Sequence, residues 1–285
     1  TESTIVGGTL NNMTGTYGFI GGGLQNTVSS THSVVSGGQG NTASTNTHAT
    51  VVGGQSNTSS GQHSVAGGSG CTASGSQSVS LGLSTISSGQ AAISLGYGNN
   101  ATNFASIALS DSSLSYLKSQ VSIASGTFSG FPAQRGESQQ SLLTAYKSAT
   151  LNTGATTVLS LDGTGVTNLL IPSGNNRAWN VQVNWVAVVT AITGTATGIS
   201  VGDVVTSVDL LGFKRVGGTS SASAHTSAAT KLMVTTPAAY AAVGIAYTAG
   251  ASQEMAMTFT GPTFVGGGSV TMRVVAKVEL SEVAW

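Results

Sequence analysis

The chain has 285 residues, room for two domains of ordinary size. Only 6% are charged, against roughly 25% in an average globular protein, the formal net charge is zero, and Gly alone supplies 40 residues. With 39% apolar residues the chain has too much to bury for a disordered polymer. No Lys or Arg precedes Lys118, which argues against nucleic acid as a partner, and no run of about 18 apolar residues is present to insert into a membrane as a helix. The single Cys71 excludes an intrachain disulfide.

Residues 1–126 repeat. A β-branched or aromatic residue stands three before a small one at Ile5, Phe19, Val35, Val51, Val65, Val79, Ile93, Ile107 and Ile123, at spacings of 14 or 16. The small residues are Gly8, Gly22, Gly38, Gly54, Gly68, Gly82, Gly96, Ser110 and Gly126. Asn11, Asn26, Asn41, Asn57 and Asn99 follow, with Cys71 and Thr85 in that place twice; Val28, Ala43, Ser59, Ala73, Ser87 and Ala101 come a fixed step later. So short a period fits one coil of a solenoid with two strands and two tight corners. The alternation in Val79-Ser80-Leu81, Ile93-Ser94-Leu95 and Ile107-Ala108-Leu109 puts two apolar side chains on one face of a strand.

Gly and Asn are expected at the corners, where positive φ is easiest, the Asn positions as corner or ladder residues rather than ligands, and the excess of the longer coils in a bulge or a longer corner. Val35, Val51, Val65, Val79, Ile93, Ile107 and Ile123 are expected to form the core of the repeat. A coil this thin encloses little core, so a second apolar face needs cover from neighbouring chains. A parallel homotrimer repeats the same contact at every coil. Thr1 falls just before the first anchor, so the natural chain is expected to extend further N-terminally.

Ser-Val-Ser-Leu-Gly at 78–82, Ala-Ile-Ser-Leu-Gly at 92–96 and Ser-Ile-Ala-Leu at 106–109 resemble the head repeat of YadA-type trimeric autotransporter adhesins. The resemblance covers about residues 1–126 and implies a left-handed parallel β-roll, three copies packing around an axis. The early coils, with double or triple Gly at 7–8, 21–23, 37–38, 53–54 and 67–68, diverge from that pattern.

After Ile123 the pattern breaks. Residues 127–150 are read as a neck, its Gly- and Pro-bearing start a linker, and residues 137–148 fit either a short neck helix or the first strand. Strands follow at 158–161, 169–171, 179–189, 204–213, 231–234, 255–259 and 270–280. In the third, Val181, Val183, Trp185, Ala187 and Val189 share a face; in the last, Val270, Met272, Val274, Ala276, Val278 and Leu280 do. With Gly/Ser/Thr turns and no helical period, residues 151–285 read as an antiparallel β-sandwich tip, and the chain as all-β.

Ala133-Gln-Arg-Gly-Glu-Ser138, Thr157-Val-Leu-Ser-Leu-Asp-Gly163, Leu169-Leu-Ile-Pro172, Trp179-Asn-Val and Met272-Arg-Val-Val-Ala-Lys-Val-Glu279 resemble the C-terminal domain of phage and prophage tail fibres. The match spans about 133–285, and the stretch 191–230 departs from it. The resemblance implies a trimeric tip on a fibre shaft: a homotrimeric receptor-binding protein on a virion tail. Its partners would be the rest of the fibre and a host-surface receptor, glycan or outer-membrane protein. A bacterial trimeric adhesin and a polysaccharide-degrading tail spike are the alternatives.

No catalytic residue is expected. Paired carboxylates of a glycan hydrolase are not evident: Glu2 and Asp111 lie in the repeat, and Asp162, Asp203, Asp209, Glu254, Glu279 and Glu282 show no pairing spacing. His32, His48 and His63 recur at one coil position and read as solvent-facing corner residues rather than a metal ladder, so no metal or cofactor is expected. Thr42, Thr58 and Thr72 recur, but an ice-binding array needs more regularity, with Thr27 and Thr85 among interruptions. Receptor contact is expected in loops: the polar stretch 217–230, with Ser223, His225 and Thr226, and Tyr240 and Tyr247 in a small-residue stretch, able to stack on a sugar ring. Trp185 reads as core.

Overall fold

Strands recur along the first unit, Thr1–Gln140, in two parallel stacks. The computed structural model describes residues 2–125, 138–164, 177–216, 219–223, 232–233, 238–249 and 255–284. The wide stack holds Thr4–Ile5, Phe19–Ile20, Val34–Val35, Thr50–Gln55, Val65–Ser69, Val79–Leu83, Ile93–Tyr97, Ile107–Asp111 and Val121–Ser125. The narrow stack holds two-residue strands from Asn12–Met13 to Leu114–Ser115. The fold is thus a β-solenoid of about nine coils, each of about 14 residues.

The register corrects the expected core. Val65, Val79, Ile93 and Ile107 pair in line with Phe19, Val34 and Thr50, and the line ends on Val121 rather than Ile123. These residues point outward and are half-buried, and Ile123 is 52% exposed. The inward position is the next residue: Ile20, Val35, Val51, Ala66, Ser80, Ser94 and Ala108, all fully buried. Only Val35 and Val51 of the expected set lie inside. Side chains alternate with a period of two, so a one-residue slip in alignment exchanges inside for outside.

That slip has a structural cause. Between Val51 and Gly54 the strand carries one residue more than Ala66–Gly68 beside it, a β-bulge. The coils around Asn26 and Asn41 share that longer path, and the coil through Thr45–His48 also has a longer corner. The longer coils are filled by Ile20, Val28, Val35 and Val51; the tighter ones by Ala73, Ser80, Ser87, Ser94, Ala101 and Ala108. Some hydroxyls inside the tight coils are bonded there: Ser80 Oγ lies 2.8 Å from Thr85 Oγ1, and Ser87 Oγ donates to Val79 O at 2.6 Å, whereas Ser94 Oγ is buried without a partner.

Of the two readings of the asparagines, corner or ladder, the structure shows a buried ladder. Asn26, Asn41, Asn57 and Asn99 are fully buried. Asn41 Nδ2 donates to Gly37 O and Gly54 O, both at 2.8 Å, and its Oδ1 accepts the Asn57 backbone N–H at 3.0 Å. Asn26 and Asn57 repeat the arrangement one coil away. Cys71 fills the same slot with a thiol directed at Gly82 O, 3.1 Å away. The positive-φ corners fall elsewhere, at Tyr17, His32, His48, His63, Gln77, Ala91, Ala105 and Ser119 on one side of the coil and at Leu10, Gln25, Gly40, Ser56, Gly70, Ser84, Gly98 and Ser112 on the other. Past the last narrow strand, Gln139 is buried, and its side-chain amide both accepts from Leu114 N and donates to Leu114 O, satisfying groups a further coil would meet.

The second unit, Ser141–Trp285, is two antiparallel sheets. In one, Ser138–Leu151, Ser269–Ala284, Arg177–Thr193, Val204–Val216 and Thr219–Ser223 lie side by side, with Leu232–Met233 also on Val204–Val216. The other is Thr156–Leu159, Met255–Thr260 and Gly244–Ala249. Both expected inward rows, Val181 to Val189 and Val270 to Leu280, are buried. Trp185 packs edge-on to Phe259 of the smaller sheet, with ring centroids 6.0 Å apart. Residues 138–151, expected in the neck, form one strand; the linker stretch 126–137 and the expected strand at 169–171 lie outside the described residues. No helix among the described residues is long and apolar enough to cross a membrane.

Candidate functional site

Two expected receptor contacts, Tyr240 and Tyr247, are committed inside the second unit. The stretch holding them is structured rather than loop: Ala238–Tyr240 is a 3-10 turn and Gly244–Ala249 a strand. Tyr240 is 1% exposed and its hydroxyl donates to Asp203 Oδ2 at 2.6 Å, so its ring offers no stacking face. Half-buried Tyr247 donates to Asp209 Oδ2, which also accepts Trp185 Nε1–H at 3.0 Å; Ser207 Oγ donates to the other carboxylate oxygen at 2.9 Å. Asp209 thereby ties the Val204–Val216 strand to Arg177–Thr193 beside it and to Gly244–Ala249 in the facing sheet. Nothing local in the sequence marks these pairs, because each tyrosine lies nearly forty residues from its aspartate.

Burial first, then the bond to Asp209 and its charge, push the Tyr247 phenol well above the ordinary tyrosine range; Tyr240 is raised in the same order by burial and Asp203. The folded chain therefore keeps protons that the unfolded chain releases near about pH 10. This contribution to stability is complete below about pH 10 and is lost as pH climbs further. In an alkaline absorbance titration, two of the six tyrosines are expected to ionise only as the second unit unfolds. Ionisation of all six with the fold intact overturns this assignment.

Of the 217–230 stretch, Thr219–Ser223 is a strand paired with Val204–Val216, which corrects the expectation of an uninterrupted loop. Ser223 ends that strand; His225 and Thr226 lie outside the described residues.

Aromatic surface is instead present on the solenoid. Tyr17 is 52% exposed, Phe104 45%, with the Lys118 ammonium 5.7 Å from its ring centre. Tyr17, His32, His48 and His63 form one exposed row of near-parallel rings, with successive centroids 5.0, 5.0 and 4.8 Å apart. On the narrow stack Thr27 joins Thr42, Thr58 and Thr72 in one register, whereas Thr85 is buried. One outward row of the wide stack is apolar through Val65, Val79, Ile93 and Ile107, and Ile123 is visibly exposed; the row through the exposed Leu83 and Tyr97 is mixed, with Gln55, Ser69 and Asp111 in line. No group of three or more His, Cys, Asp or Glu among the described residues could hold a metal ion.

No protein-family model matches the chain, and no curated protein does. Among solved structures it is similar to the tailspike protein of Acinetobacter phage vB_ApiP_P1, at 11% identity over 94% of this chain and 56% of that one, with a TM-score of 0.25. It is also similar to the tailspike protein of Acinetobacter baumannii phage AM24, at 7% identity over 95% of this chain and 50% of that one, with a TM-score of 0.27. The chain thus spans about half the length of each. Likeness this slight carries no argument about fold or function.

Proposed function

We propose that the chain is part of a homotrimeric phage tail fibre that attaches the virion to its host, by presenting a surface rather than by chemistry. The observation that carries this reading is the apolar outward row of the wide stack from Val65 to Ile107. From Ser3 to Ser110 the sequence contains no Asp, Glu, Lys or Arg, and Val65, Val79, Ile93 and Ile107 stand outward along consecutive coils. A monomer gains nothing from such a face. A partner matching it at every coil must repeat at the same spacing, which a parallel copy of this solenoid does. Three copies on one axis then give avidity from weak single contacts. The tail-fibre assignment rests on the sequence resemblance of the second half, beside the antiparallel sandwich found there. The receptor is a host-surface glycan or outer-membrane protein.

The test is light scattering on the purified chain, followed by saturation binding to a panel of bacterial strains with assay of released sugar. A trimer that binds some strains and releases no sugar is expected. A chain monomeric at every concentration overturns the assembly; a trimer that binds no strain overturns the attachment role; sugar release makes it a degrading spike.

A further inference from the structure

The row of exposed rings on one corner of the solenoid is used by nothing above. We infer that adjacent histidines of this row, His32 with His48 or His48 with His63, bind a divalent transition ion of the zinc and nickel class between them. Three observations carry this. First, the rings come from successive coils at the same corner, so the fold itself holds the pairs 5.0 and 4.8 Å apart, centre to centre. Two imidazole nitrogens on one ion at about 2.0–2.1 Å each need a closer approach. Exposed rings reach it by tilting toward each other out of their stacked planes, which differ by only 9° and 18°. Second, the residues from Ser3 to Ser110 hold no Asp, Glu, Lys or Arg, so neither an ion pair nor a neighbouring cation claims these imidazoles along the coils. Third, the corner does not need a ring. Gln77, Ala91 and Ala105 take the same position in later coils with the same positive φ, so the three histidines are not imposed by the backbone. Imidazole nitrogen suits zinc, nickel and copper, with water completing the coordination shell. An ion held there clips two coils together and stabilises the native state by mass action.

Geometry makes His48 unequal to its neighbours. It belongs to both pairs, and without it His32 and His63 are two coils apart. The experiment is calorimetric titration of the full, untagged chain with zinc chloride alone, repeated on His32→Gln, His48→Gln and His63→Gln. Gln77 shows that glutamine is compatible with this corner. The wild type is expected to bind zinc, with a rise in melting temperature reversed by chelator. His48→Gln is expected to weaken binding at least about tenfold, as the loss of a ligand from a small site does. His32→Gln and His63→Gln each keep one pair and stay within a few-fold of wild type. No zinc binding by the wild type overturns the proposal. So does equal loss in all three variants, which means independent single histidines, or unchanged binding in His48→Gln, which places the ion elsewhere. Circular dichroism of each variant separates loss of the site from loss of the fold.

Discussion

Replacing Asn41 with alanine is expected to destabilise the solenoid by about 2–3 kcal/mol, because the fully buried Asn57 loses an acceptor while two less buried glycine carbonyls lose a donor. Gly37 O and Gly54 O lose the side-chain donor, and the Asn57 backbone N–H loses its acceptor. Asn57 Nδ2, whose two N–H groups have three acceptors within reach, loses one of those acceptors. Gly37 and Gly54 are less buried and Gly54 O keeps the Gln39 backbone N–H, so the uncompensated loss falls on Asn57, which is fully buried. Asn41→Thr should cost less, because Thr85 already occupies this slot in another coil, with its hydroxyl against Ser80 and Cys71. Hydrogen exchange is the sharper measurement. Solenoid stability is a sum of nearest-neighbour terms, so lost protection should centre on the coils of Asn26, Asn41 and Asn57 and fade toward Ile107. Uniform loss along the whole array refutes the ladder as a local stabiliser.

The second large effect is expected at Asp209. Asp209→Ala leaves Trp185 Nε1–H, the Tyr247 hydroxyl and the Ser207 hydroxyl without their shared acceptor. The site is half-buried, so water restores part of the loss, and the expected cost is about 2–4 kcal/mol in the second unit. Tyr247→Phe removes one of the three bonds and should cost about 1 kcal/mol. Chemical unfolding followed by tryptophan fluorescence suits this measurement, since Trp179, Trp185 and Trp285 all lie in the second unit. An Asp209→Ala variant that unfolds with the wild type would mean that apolar contact between the sheets, Trp185 on Phe259 among them, suffices without the clasp.

The solenoid was legible because its signal is periodic: Gly, Asn and the small residue after Asn recur whatever the coil length. What failed was the phase in the longer coils. A bulge adds one residue between the inward Val51 and Gly54, and counting back from glycine then lands on an inward residue there but on an outward one at Val65 and Val79. The asparagines were visible as corner or ladder residues without a choice between the two, because a buried amide and a corner amide look alike in one dimension. In the second half, strict alternation gave the rows through Trp185 and Met272 directly. Thr219–Ser223 and Gly244–Ala249 were missed, since their Ser, Ala and Gly content carries no apolar alternation. The clasps Tyr240–Asp203 and Tyr247–Asp209 join residues distant in sequence, and one sequence alone gives no sign of them.

The in-register asparagine ladder also bears on how such a rod changes length. From Asn57 through Cys71 and Thr85 to Asn99, each coil hands its neighbour the same backbone groups. A segment of one whole coil can therefore be excised or duplicated there and the cut ends still meet matching partners. The rod then grows or shortens in discrete steps of about 4.8 Å, the spacing of adjacent strands. A deletion of one residue exchanges inward and outward side chains at the joint, and one of a few residues displaces the corners from the stack, so the reading frame of this structure is the coil rather than the residue.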